Sequence, residues 1–150
     1  MSDDDPGPMH EFERDALVLE ISETIAADPG EIAPAVHRIM LAIAKSGCAN
    51  GNEAPIELAL NEALANAIVH GAQQDPAKKV QLCVACDAKN GLLIIVRDPG
   101  PGFDPAAIPS PVVGEHVFSS HGRGIFLINQ LMDEVRFKRN GTEIHMIKRT

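Results

Sequence analysis

Two Asn-Gly dipeptides, Asn90-Gly91 and Asn140-Gly141, each stand between strand-like runs, "KKVQLCVACD" with "GLLIIVRD" and "EVRFKRN" with "TEIHMIKR". Asn-Gly accepts the left-handed backbone of a tight hairpin turn, so each pair of runs is expected to lie antiparallel. An earlier run, "ALVLEI", alternates like a half-buried strand. Between these strands lie segments of helical period. One runs from about Ile32 to Lys45, with Pro34 in its first turn and Gly47 as its stop, and one from about Pro55 to His70, closed by Gly71. A third pattern, "IFLINQLM", precedes the last hairpin. Strands joined as hairpins, with helices gathered on one side, predict an α+β two-layer sandwich whose mixed, mainly antiparallel sheet is covered on one face by helices.

The core of such a domain has to be aliphatic. Trp and Tyr are absent and Phe occurs 5 times, although 45% of the 150 residues are hydrophobic. Stacking on bases or sugars is therefore disfavoured as a binding mode. A net charge of -8 argues against a nucleic-acid backbone as partner, because that affinity comes from Lys and Arg neutralising phosphates. No apolar run reaches the ~18 residues of a membrane span. Residues 1–15, "MSDDDPGPMHEFERD", read as a disordered acidic tail with neither the basic start nor the apolar run of a signal peptide, leaving 16–150 as one domain. A cytoplasmic location is expected, and the odd set of three cysteines, Cys48, Cys83 and Cys86, is expected to be reduced. Cys83 and Cys86, three apart on a strand, should point to opposite faces, which argues against zinc.

The second helix carries the first candidate site. At 100° per residue Ile56, Leu60, Leu64 and Ile68 form one stripe, flanked by Ala63 and Ala67, which should lie on the sheet. Two carboxylate-amide pairs compete at i,i+4 spacing. Glu57 and Asn61 project near the edge of that stripe, whereas Glu62 and Asn66 fall opposite it. Asn is poor in a helix interior because its amide competes for backbone hydrogen bonds. Asn66 could instead offer a carbonyl oxygen to a hard cation such as Mg²⁺, and Glu62, one turn earlier, could deprotonate a nucleophile beside it. A solvated helix face is the bland alternative. His70, at the helix end, complements the dipole.

Two glycine clusters lie further along the chain. "DPGPGFDP" sets Asp98 at a strand end before Gly100 and Gly102, an acceptor above bare backbone that could take the exocyclic amine of adenine, or a plain capped turn. "SSHGRGIFLINQLM" sets Gly122 and Gly124 directly before a helix, where free N–H groups and the dipole favour phosphate. Arg123 between them could reach a phosphate or solvent. Neither cluster completes a dinucleotide fingerprint, since Pro105 and Leu127 stand where the third glycine belongs, and no Gly-Lys-Ser/Thr occurs. The stretch from Pro99 to Gly124 lacks periodicity and is a candidate lid, with His116 and His121 either facing solvent, the expected case, or serving as lid contacts.

Taken in order, "NEALANAIVHG", "DPGPGFDP", "HGRGIFLINQLMDEV" and "GTEIHMIKR" resemble the Bergerat-type ATP-binding fold of gyrase, histidine kinases and the mismatch-repair ATPase. Within that group they look most like the stand-alone bacterial anti-sigma factor serine kinases, over roughly Ala16 to Arg149. The resemblance implies Glu62 as general base and Asn66 as Mg²⁺ ligand. It implies Asp98 for the adenine amine, with Gly100 and Gly102 shaping the base pocket, and Gly122 and Gly124 at the phosphates, where Arg123 is the added phosphate-site candidate. Thr142 would back the adenine site. It also implies ATP and Mg²⁺ as cofactors, an anti-sigma antagonist protein as phosphate acceptor, a sigma factor as alternate partner, and a homodimer. A nucleotide-gated binding module without transfer and a detached histidine-kinase module are the competing functions. Glu62 favours the kinase over the first, and the lack of a dimerisation helix with a phospho-acceptor His weakens the second.

Overall fold

The computed structural model describes residues 17–101 and 120–149, with backbone alone for 120–122. The expected tail, Gly102, His116 and most of the candidate lid lie outside the described residues, and His121 contributes backbone only. Five strands, β1 (Leu17–Ala26), β2 (Lys79–Asp87), β3 (Gly91–Arg97), β4 (Glu134–Lys138) and β5 (Glu143–Lys148), form one sheet in the order β1-β2-β3-β5-β4. Each described pairing is antiparallel. Helices α1 (Ile32–Ser46), α2 (Glu53–Ala65) and α3 (Ser120–Leu131) form the second layer. The α+β two-layer architecture read from the sequence is the one present.

Strand alternation decides which residues meet the helices. Val80, Leu82, Val84 and Cys86 of β2, Leu92, Ile94 and Val96 of β3, and Ile144 and Met146 of β5 join the main core. The α2 stripe Ile56, Leu60, Leu64 and Ile68 is fully buried against them. Truncating any one of these aliphatics to Ala would cost about 2–5 kcal/mol, the lost transfer energy plus a cavity. Leu93 and Ile147 point to the other face and form a smaller cluster with Leu17 and Ile95. Beside it, Arg97 bonds Glu143 at 2.8 Å and His145 Nε2 lies 3.0 Å from the same carboxylate. The His145 bond, and after it Arg97, hold the Glu143 carboxyl below its usual range against the opposing effect of burial.

Both hairpins form at the expected dipeptides. Gly91 takes φ 91° and the Asp87 carboxylate accepts from the Lys89 N–H at 2.8 Å and from the Asn90 side chain at 2.9 Å, which closes the β2–β3 turn. In the β4–β5 turn Arg139, Asn140 and Gly141 all adopt positive φ. Gly47, with φ 78°, ends α1 as its sequence position indicates.

Two expectations are corrected. The helix at the second glycine cluster begins at Ser120, so Gly122 and Gly124 lie within α3 and not before it. The cysteines are not all reduced: Cys48 and Cys86 form a disulfide, and Cys83 is free on the opposite sheet face. Counting cysteines misled because the α1–α2 turn brings Cys48 over the end of β2, at a Cα–Cα distance of 6.3 Å that a bridge can span. Both bonded cysteines are buried.

The bond closes a loop of sequence separation 38, for which chain entropy predicts about 4 kcal/mol of stabilisation. Cys48→Ala is therefore expected to lower the unfolding free energy in urea by roughly 2–4 kcal/mol. Alkylation of the denatured, unreduced protein should label Cys83 alone, with Cys48 and Cys86 labelled only after reduction. Labelling of all three without reductant would contradict the bond.

Candidate functional site

The site begins where α2 stops being an α-helix. The Asn66 N–H is shared between the carbonyls of Glu62 and Ala63, and residues Asn66–Gly71 continue as a π turn. The Ala72 N–H reaches five residues back to Ala67, at 2.8 Å. A π turn inserts one residue per turn and rotates the chain beyond it. Here it swings His70 and Gly71 towards the end of β3.

Of the two carboxylate-amide pairs on α2, Glu57 and Asn61 are exposed, whereas Glu62 and Asn66 are half-buried beneath α3. What covers them is Gly124. A methyl group at Gly124 would lie 3.0 Å from Glu62 Oε2 and 3.1 to 3.3 Å from the Asn66 amide, so the pair converges on the bare side of that helix turn. Neither side chain makes a hydrogen bond to another described residue. The donor set is oxygen from one carboxamide and one carboxylate, which fits a hard divalent cation that keeps several waters. No cluster of three or more His, Cys, Asp or Glu exists among the described residues. Such a cation would therefore draw its remaining ligands from water and from a bound anion.

Next to Asn66 opens a recess of about 230 Å³. Its polar points are Asn66, His70, Asp98 and Thr142, and Val96, Ile125, Phe137 and Ile144 give it apolar walls. That volume is below the ~300 Å³ at which pockets for whole drug-sized ligands begin. It suits a flat heterocycle, with the rest of a larger ligand lying outside, over Asn66.

Asp98 lines the recess from just past the end of β3. Its backbone N–H donates to the Thr142 carbonyl at 2.8 Å, which ties the end of β3 to the β4–β5 turn. Its carboxylate Oδ1 accepts the Gly100 N–H at 2.8 Å, and Oδ2 takes no hydrogen bond among the described residues. Burial raises the Asp98 carboxyl above its ordinary range, against the smaller opposing effect of the Gly100 bond. The Thr142 hydroxyl donates to the Arg139 carbonyl at 2.7 Å.

The fold thus brings together Glu62, Asn66 and Gly124 as one group, and Asp98, Gly100 and Thr142 as an adjoining one. Arg123 is exposed on α3 and does not line the recess. His70, read from the sequence only as a dipole partner, lines it. Gly71, read as a helix stop, also lines it and touches Asp98. No signal separated Gly71 from any other glycine ending a helical pattern.

The family model described as histidine kinase-like ATPase domain matches residues 25–148. The chain belongs to the histidine kinase-like ATPase family. No curated protein matches it. ATP binding is expected of this domain. No helix among the described residues is long and apolar enough to cross a membrane.

The raised Asp98 carboxyl sets a pH dependence. A carboxylate accepts the N–H of an amine with either oxygen, and protonation removes one acceptor and adds a donor. ATP affinity is expected to fall as pH is lowered, beginning above the usual aspartate range of about 3.9 because burial raises this carboxyl. The sign for the ligand-free fold is opposite. The folded state binds this proton more tightly than the unfolded chain, so its contribution to stability is present at low pH and lost as pH rises through the raised value. Calorimetric titration against pH checks the first, with Asp98→Asn expected to remove the part of the dependence that this carboxyl carries.

Proposed function

We propose that this protein is a Mg²⁺-ATP-dependent serine-protein kinase of the anti-sigma type, which phosphorylates an anti-sigma antagonist protein and alternately sequesters a sigma factor. The observation that carries the enzymatic part is the convergence of Glu62 and Asn66 beneath Gly124, beside a recess lined by Asp98. The partners rest on the likeness of the four motifs to that kinase family. The same reading sets the protein in the cytoplasm and includes a homodimer.

Each residue has a task that its position supports. Asp98 accepts a hydrogen bond from the adenine amine, and the apolar walls exclude water from the base. Asn66 offers its carbonyl oxygen to the cation, whose role when bound is to offset phosphate charge. Gly124 leaves room above the Glu62–Asn66 pair where any side chain would intrude. Glu62 takes the proton of the incoming serine hydroxyl as that oxygen bonds to the γ-phosphorus and ADP departs. Phosphoryl transfer depends on positioning and charge neutralisation more than on covalent chemistry, so this small set of groups suffices.

Asn66→Ala is expected to abolish Mg²⁺-dependent ATP binding. Glu62→Gln should keep nucleotide affinity within a few-fold and reduce transfer by roughly 10²–10⁴-fold, the usual contribution of a general base. Calorimetry on both variants, followed by labelled ATP with a candidate antagonist, reads these out. A wild-type protein that binds ATP tightly and transfers to no serine-bearing partner would instead be a nucleotide-gated binding module.

A further inference from the structure

Gly71 does not have the backbone conformation that a helix-stopping glycine usually has. Gly47, Gly51, Gly91 and Gly141 adopt positive φ, and Gly71 does not. The residue capping the π turn is Ala72, with φ -95°. Conformational freedom therefore gives no reason for a glycine at position 71, and the packing does. A methyl group there would stand 2.2 Å from Asp98 Cγ, 2.4 Å from Oδ1 and 2.5 Å from Oδ2. All three distances are far inside van der Waals contact, and the three atoms are the whole carboxylate. The group lies across the bare Cα of Gly71. Gly100 closes the arrangement, since a methyl group on it would meet the Gly71 carbonyl oxygen at 2.1 Å while its own N–H holds Asp98 Oδ1.

We propose that Gly71 is a positioning residue for nucleotide selectivity: its bare backbone, delivered by the π turn, fixes the Asp98 carboxylate so that Oδ2 faces the recess and selects a purine bearing an exocyclic amine. This rests on the reading of the recess as the base site. The carboxylate is held on one side by contact with Gly71 and at Oδ1 by the Gly100 amide, which leaves Oδ2 as the acceptor for a ligand. A side chain at position 71 displaces the carboxylate from that orientation without touching the Glu62–Asn66 pair one to two turns away.

The test compares ATP with its analogue carrying hydrogen in place of the adenine amine, using the full chain and calorimetry. A hydrogen bond to a charged acceptor corresponds to roughly a 10- to 100-fold preference, so wild type should favour ATP by that factor. Gly71→Ala should bring the ratio close to one by weakening ATP while leaving the analogue within a few-fold. In an Asp98→Ala background, adding Gly71→Ala should change neither affinity. Folded Gly71→Ala that keeps the wild-type ratio overturns the inference. If Gly71→Ala does not fold, the Gly71→Ala/Asp98→Ala double variant should, because the colliding carboxylate is gone, and a double variant that stays unfolded overturns it too. A wild type that binds neither nucleotide, or binds both equally, fails earlier: it removes the assignment of the recess as a base site.

Discussion

The placement of every polar group in the site depends on one apolar contact, the seating of the α2 stripe on the sheet. Ile56, Leu60, Leu64 and Ile68 are fully buried in a core built mostly of aliphatic side chains. Once that stripe is down, helical periodicity puts Glu62 and Asn66 on the upper flank, where α3 meets them. The burial of several aliphatic side chains, each worth about 1.5–3 kcal/mol, fixes the height and rotation of α2. The acid and the amide are positioned by residues that never touch a ligand.

The sheet supplies the other half through its order. Because β5 lies between β3 and β4, the end of β3 and the β4–β5 turn come side by side, and the Asp98 N–H continues the β3–β5 ladder by bonding Thr142. Asp98 is thus held by sheet pairing, while Asn66 is held by helix packing. The recess is the gap between the two layers at the place where the π turn lifts the helix backbone off an α-helical path. A ligand that bridges both groups reads the spacing of the layers, which the core sets.

Much of this was legible in the residues. Hairpins at Asn90-Gly91 and Asn140-Gly141, the α1 boundaries and the buried stripe come from local backbone preference and period, which tertiary context did not override here. The choice of Glu62 and Asn66 over Glu57 and Asn61 came from angular position alone, which did not foresee that α3 would half-bury the pair facing away from the stripe while the pair near its edge stays exposed. What escaped depended on distance in space. Cys48 and Cys86 are far apart in the chain, and parity carries no information about which turn overlies which strand end. The start of α3 at Ser120 was hidden because Gly122 and Gly124 weaken helix propensity. Gly124 is tolerated there because a side chain would crowd the Glu62–Asn66 pair beneath it. Gly71 is illegible for a related reason: a glycine required by a neighbour's carboxylate and a glycine required by its own φ are the same letter.

The π turn also changes the energetic meaning of Asn66. In a regular helix interior its amide would compete with the i,i−4 ladder at a cost, and from that cost the sequence alone suggests a task. The structure puts Asn66 where the ladder is already interrupted, its N–H divided between two carbonyls, so the amide itself costs less than an interior position implies. The expense has moved to the backbone. A π turn is a rare departure from α-helical geometry, and here it includes the buried Ala67 and Ile68. What the turn does achieve is the approach of Gly71 to Asp98. A functional site is therefore indicated less by an asparagine with low helix propensity than by a helix that departs from its best geometry to bring two bare glycines and a carboxylate into contact.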